Sequence, residues 1–196
     1  MLHIVYGGSA SGKSSYAESF AMSLQGEGRL LYIATMYPYK WNTTEIDPET
    51  MQRIERHRAM RADKGFDTVE CYRHVEHIVA KRQDVLLLEC MSNLLANEMY
   101  LEPDSNAGSD MAETMSPVSN KIVQALIDLS TRVQELVIVT NDVFSDGGSL
   151  TYDESTREYV KNLAEINCAL AREAATVTDV VCGIPVIVKK NHPMGK

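Results

Sequence analysis

Gly7-Gly8-Ser9-Ala10-Ser11-Gly12-Lys13-Ser14 satisfies the pattern G-x-x-x-x-G-K-[ST]. At average composition the bare pattern arises by chance in roughly one chain in 150 of this length, so its flanks decide the reading. Leu2–Tyr6 before it is a short apolar run ended by glycine, which reads as a buried strand. Lys13–Leu24 after it puts Tyr16, Phe20 and Leu24 on one helical side. Strand, loop and helix in that order form a phosphate-binding loop. Glycines let backbone N–H groups converge on phosphate oxygens, and the helix N-terminus adds partial positive charge. Lys13 is placed to reach the β- and γ-phosphates, and the Ser14 hydroxyl to ligate Mg²⁺. Gly7 through Ser14 are therefore candidate nucleotide-binding residues, with ATP or GTP as donor.

The same alternation continues outward. Leu30–Ala34, Val85–Leu88 and Leu136–Thr140 are apolar throughout and predict buried strands, with a shorter one at Asp67–Glu70. Pro48 with Asp47 before it marks a helix start, and the helix should run to about Ala62. Pro117–Val133 and Asp153–Ala175 predict two further helices, and His74–Arg82 reads as a shorter one. Val177–Val181 and Pro185–Val188 close the chain as two strands around Gly183. Continuously apolar strands between helices predict a mainly parallel sheet covered on both faces. The expected fold class is α/β: a single-domain (1–196), three-layer P-loop NTPase fold of RecA-like type, with an antiparallel edge strand near the C-terminus. The Gly-, Ser- and Asp-rich stretch Leu101–Ser116 reads as a loop and a candidate lid.

Composition narrows the function. With 44% hydrophobic and 23% charged residues the 196-residue chain is ordinary globular material. Its formal net charge of −8 argues against a nucleic-acid partner, which usually demands a basic face. The opening MLHIVYGG is too short for a signal peptide, and no stretch reaches membrane-spanning length. Cys71, Cys90, Cys168 and Cys182 form no C-x-x-C pair and read as reduced thiols. A cytoplasmic location is expected.

A P-loop also calls for an acid at a neighbouring strand end, to hold Mg²⁺ or its water. Glu89 after VLLL has the favoured spacing, and Asp142 after LVIVTN is a second candidate. Arg53, His57 and Arg61 lie at i, i+4 and i+8 and share one face of a predicted helix, with Arg58 beside it. A neutral imidazole is a competent nucleophile toward phosphorus. Guanidinium groups around it could hold a triphosphate and stabilise charge in the transition state. A solvated basic helix with a surface histidine would carry the same pattern. His74 and His77 form an i, i+3 pair near Cys71, but no further spacing supports a zinc site.

The segments GGSASGKSSYAE, LLYIAT, RIERHRAMR, TVECYRHV, LLLECMSNLL, VTNDV and GIPVIVK occur in this order. Together they resemble the bifunctional adenosylcobinamide kinase/adenosylcobinamide-phosphate guanylyltransferase family of cobalamin biosynthesis, over nearly the whole chain. The resemblance implies two reactions. An NTP phosphorylates the aminopropanol hydroxyl of adenosylcobinamide, and GTP then donates GMP to that phosphate through a histidine–GMP intermediate. It assigns the intermediate to His57 and guanosine contact to Glu70, and it implies a homotrimer. Ala10 stands where an arginine is common in such proteins. Asn141-Asp142-Val143-Phe144 replaces Asn-Glu-Val-Gly, which weakens any role for Asp142. Two other functions remain compatible with the residues: a different small-molecule P-loop kinase, or a RecA-like NTP-binding module.

Overall fold

The computed structural model describes residues 1–101, 116–143 and 152–191. The candidate lid, apart from its end residues Leu101 and Ser116, lies outside the described residues. Among the described residues seven strands form one sheet: β1 (Leu2–Tyr6), β2 (Leu30–Ala34), β3 (Phe66–Glu70), β4 (Val85–Glu89), β5 (Glu135–Val139), β6 (Thr176–Val181) and β7 (Ile184–Lys190). Their order across the sheet is β3-β2-β4-β5-β1-β6-β7. All neighbours are parallel except β6 and β7, which pair antiparallel. The expected edge strand is therefore β7.

Among the described residues five helices flank the sheet: α1 (Lys13–Leu24), α2 (Pro48–Arg61), α3 (Met91–Tyr100), α4 (Pro117–Arg132) and α5 (Glu154–Glu173). Leu31, Ile33, Leu86, Leu88, Leu136 and Ile138 point to one side, under α3, α4 and α5. Leu30, Tyr32, Val85, Leu87, Val137 and Val139 point to the other, where Ala17 and Ala21 of α1 pack on them. Both faces of β1, β2, β4 and β5 are buried, which is why these strands read as unbroken apolar runs. Each fully buried Leu, Ile or Val side chain contributes about 1.5–3 kcal/mol.

Local signals placed most helix ends. Asp47 caps α2 by accepting from Thr50 N at 3.3 Å, with Pro48 in the first turn. Asp153 caps α5 through Thr156 N at 2.7 Å, and Ser116 caps α4 through Ser119 N. The helix expected at His74–Arg82 is absent. Only Val75–His77 forms a 3₁₀ turn, entered through His74 at a φ of 55°. Val75 and Ile78 are buried, so one tight turn satisfies the apolar i, i+3 spacing. Beyond it Asp84 captures Lys81 N at 2.8 Å and turns the chain into β4.

Asp84 also ties β4 to β2. It is wholly buried, accepts from Arg29 N at 3.0 Å and pairs with the Arg29 guanidinium at 2.6 Å. Burial alone would raise its carboxyl, but these hydrogen bonds outweigh that and hold it below the usual range. The approach of the two strands leaves no room at Gly28, where a Cβ would stand 1.8 Å from the Gln83 carbonyl oxygen. Gly28→Ala is expected to lower the unfolding free energy by about 3 kcal/mol or more in urea titration. Gly26→Ala, which meets only the flexible Gln134 side chain at 3.4 Å, should stay within about 1 kcal/mol. Equal effects of the two would contradict this account.

Candidate active site

The loop from Gly7 to Ser14 follows β1 at the carboxyl end of the parallel strands, where α/β folds bind ligands. Its turn depends on two glycines. A Cβ at Gly7 would lie 2.8 Å from the Val180 carbonyl and 2.6 Å from Ser11 Oγ. Gly12 holds a left-handed φ of 91° as the N-cap of α1, with Gly183 of the β6–β7 turn 3.2 Å from where its Cβ would be. The Gly183 amide donates to Ser11 O at 2.8 Å. Lys13 Nζ donates to Gly8 O at 3.0 Å across the loop.

The ends of β2, β3, β4 and β5 complete the site. Glu89 ends β4, and the Tyr32 hydroxyl donates to its Oε2 at 3.3 Å. Burial, reinforced by the Glu89 carboxylate, pushes the Tyr32 phenol well above its ordinary range, so it stays a donor. The buried Thr35 hydroxyl accepts from Cys90 N at 2.8 Å and sits 3.0 Å from the Glu89 and Cys90 carbonyl oxygens. This fixes the backbone that carries Glu89. Burial raises the Cys90 thiol, which stands 2.9 Å from Ser92 Oγ. Asn141 Nδ2 donates to Ser92 Oγ at 2.6 Å. Asp142 hydrogen-bonds the Tyr6 hydroxyl and donates its amide to Gly7 O at 3.0 Å.

Helix α2 lies over this floor. Arg61 is its one buried residue, 6% exposed, with its guanidinium carbon 3.4 Å from the centre of the Tyr32 ring. Among the described residues Arg61 Nε and Nη1 have no hydrogen-bond partner. Arg58 pairs with Glu70 at the end of β3, and Tyr72 donates to the other Glu70 oxygen at 2.8 Å. Lys64 just past the helix pairs with buried Glu18 of α1.

Nearly every residue singled out from the sequence faces one cavity of about 800 Å³. Ser9 to Ser14, Arg53, His57, Arg58, Arg61, Glu70, Glu89 and Asp142 line it, while Gly7 and Gly8 at the start of the loop do not. Arg53, His57 and Arg61 of the expected helix face all line the cavity, and so do Ile54, Arg56 and Met60. Arg58 and Glu70, read as separate nucleotide contacts, are each other's partners. Both are about half exposed, so their ion pair contributes little and a ligand could displace it. Tyr32, Thr35, Ser92 and Asn93 were not anticipated. A tyrosine in the otherwise aliphatic LLYIA run was the available signal for the first.

Ser14 and Glu89 offer hard oxygen donors to the same cavity, which fits Mg²⁺. No group of three or more His, Cys, Asp or Glu side chains among the described residues could hold a metal ion, His74 and His77 included. A Mg²⁺ ion here would be held by few protein oxygens together with phosphates, as is usual for it.

Fold and cavity define a P-loop nucleotide-binding transferase. A family model described as cobinamide kinase / cobinamide phosphate guanyltransferase matches residues 3–188. The chain is 30% identical to the bifunctional adenosylcobalamin biosynthesis protein CobU of Escherichia coli (strain K12), over 96% of this chain and 100% of that protein. The protein of the same name from Salmonella typhimurium is also 30% identical, with the same coverage. Among solved structures, the flagellar accessory protein FlaH from Methanocaldococcus jannaschii aligns with a TM-score of 0.45 at 14% identity, over 97% of this chain and 78% of that one. The chain belongs to the cobinamide kinase / cobinamide phosphate guanyltransferase family.

A buried guanidinium with two unmet donors lowers stability until an anion meets it. Arg61→Met, which keeps volume and removes charge, is expected to weaken NTP binding roughly tenfold or more by calorimetric titration. The same variant should be as stable as the parent, or more so, in urea. Unchanged NTP affinity would refute the assignment of Arg61 to the phosphates.

Proposed function

We propose that this chain phosphorylates the aminopropanol hydroxyl of adenosylcobinamide with an NTP and then transfers GMP from GTP to the new phosphate. The observation that carries this is the position of His57. It lies between Arg53 and Arg61 on the face of α2 that opens onto the same cavity as Lys13, Ser14 and Glu89. A plain kinase needs the phosphate loop and the acid, but has no evident use for a nucleophile framed by arginines.

In the first reaction the NTP phosphates lie along the backbone N–H groups of Gly7–Ser14, with Lys13 at the β- and γ-phosphates. Mg²⁺, bound near Ser14 and Glu89, would neutralise phosphate charge. The acceptor oxygen bonds to the γ-phosphorus, the bond to the β-phosphate oxygen breaks, and the hydroxyl proton leaves toward Glu89. Tyr32 and Thr35 hold Glu89 in place for this role.

In the second reaction an imidazole nitrogen of His57 bonds to the α-phosphorus of GTP and pyrophosphate leaves. The phosphate oxygen of the first product then attacks the same phosphorus, frees His57 and gives adenosylcobinamide-GDP. Arg53 and Arg61 stabilise the charge that builds on the phosphoryl oxygens in both steps. Glu70 can accept from guanine N1–H and N2–H₂ once Arg58 swings away, and that would favour GTP as the GMP donor.

A homotrimer fits the exposed edge strand: Ile184, Val186, Ile187 and Val188 of β7 are each about half exposed or more. None of the helices among the described residues is long and apolar enough to cross a membrane. A cytoplasmic enzyme acting on cobinamide is the reading we adopt.

Incubation with α-³²P-GTP and Mg²⁺, without corrinoid, should label the chain with an acid-labile, base-stable GMP adduct. His57→Ala should abolish the label and lower guanylyl transfer by roughly a thousandfold, while phosphoryl transfer to cobinamide persists at least in part. A label that survives His57→Ala, or none on the parent chain, would remove the histidine route.

A further inference from the structure

Beside the nucleotide cavity runs a contiguous surface of aromatic rings that the mechanism above does not use. Tyr37 is its centre, with ring centroids 5.4 Å from Tyr39, 6.4 Å from Trp41 and 5.5 Å from Tyr72. Trp41 in turn meets Tyr100 edge-on at 6.3 Å. These rings are held in place. The loop that carries Tyr37, Tyr39 and Trp41 is closed by Asp47 N to Pro38 O at 3.0 Å and Lys40 N to Glu45 O at 2.9 Å. The Tyr100 hydroxyl is fixed by Ser155, 3.0 Å from both its carbonyl and its hydroxyl oxygen. Yet Trp41 remains 52% exposed and Tyr100 37%. A held aromatic surface of this kind is a binding feature rather than core.

One face of α3 joins this surface to the chemistry. Asn93, Ala96 and Tyr100 follow one another at helical spacing. Asn93 lines the nucleotide cavity, and together with Ala96 it also lines a recess beside Tyr37 and Trp41. Ala96 and Tyr100 then line an apolar recess of about 480 Å³ with Trp41, Thr156 and Tyr159. The path from Asn93 to Tyr100 is about 10 Å along the helix.

We infer that the Trp41–Tyr100 surface is where the corrinoid ring of the acceptor lies. This rests on the reading of cobinamide as the acceptor. The corrin macrocycle carries ring methyl groups and apolar edges between its amide side chains, and aromatic side chains pack well against such a surface. Asn93 and Thr156, at the two ends of the path, offer amide and hydroxyl groups to that rim. The arm that carries the reacting hydroxyl extends about seven bonds from the macrocycle, on the order of 9 Å. A ring seated on Trp41 and Tyr100 therefore delivers its hydroxyl along α3 to Glu89 and the γ-phosphate.

Trp41 is the only tryptophan of the chain, so it reports on its own surface. Titration with dicyanocobinamide, without nucleotide and corrected for inner-filter absorption with free tryptophan amide, should quench its fluorescence saturably. In kinase assays Trp41→Ala should raise KM for cobinamide roughly tenfold, with KM for the NTP and the melting temperature unchanged. Trp41→Phe should restore most of the loss, and Tyr100→Ala should behave like Trp41→Ala. Absence of quenching, an unaltered corrinoid KM, a parallel rise in the NTP KM, or a changed sedimentation coefficient in Trp41→Ala would each overturn the assignment. The last of these would mark the surface as a contact between copies of the chain. Failure of the parent chain to phosphorylate cobinamide at all would instead refute the proposed function, and the quenching titration would still decide the surface.

Discussion

No side chain fits at Gly7. The Val180 carbonyl on one side and Ser11 on the other close the space, and the rest of the site depends on that closeness. β1 must sit between β5 and β6 for the loop to form at the carboxyl end of the sheet. The β6–β7 turn must reach back far enough for the Gly183 amide to bond Ser11 O. The antiparallel hairpin at the end of the chain thus buttresses a loop near its start. Its outer strand is left exposed and apolar, while its tip is committed to the loop.

Charge is distributed to the same end. The chain carries a net −8, yet Lys13, Arg53, Arg58 and Arg61 converge on one cavity. The acids that share it are tied down differently. Glu70 is met by Arg58 and Tyr72, Asp142 by Tyr6, and Glu89 by the Tyr32 hydroxyl. Glu89 thus meets a neutral donor, whereas Glu70 is compensated by an arginine.

Legibility followed the range of the interactions. The segment Leu2–Leu24 could be read almost residue by residue, because strand, glycine loop and helix start are local signals. The α2 face was legible for the same reason: i, i+4 spacing on a capped helix fixes which side chains are neighbours. Interactions across the sheet were not. That Arg58 meets Glu70, or that Tyr32 lies between Arg61 and Glu89, follows from β2 lying between β3 and β4, and spacing along the chain carries no such information. His74–Arg82 failed for a related reason. Its apolar pair looked helical, but Asp84 draws the following backbone into a turn, and that competition involves Arg29, more than fifty residues away.

Helix α2 shows how such distant interactions shape the chemistry. It is the most polar of the helices and buries only Arg61, so no apolar stripe fixes it to the sheet. It is held by the Asp47 cap, by Arg58 on Glu70, by Lys64 on Glu18, and by Arg61 lying on Tyr32. Three of these four are ionic or cation–π contacts, and two of them involve arginines that line the cavity, Arg58 and Arg61. On the proposed function, a triphosphate entering the cavity would compete for Arg61 and Arg58 and offer charge-assisted bonds in exchange. On that same proposal, the face that carries His57 would therefore be best ordered with the nucleotide bound. An apolar α2 would have held His57 in place more firmly, but it could not have presented three arginines around that histidine.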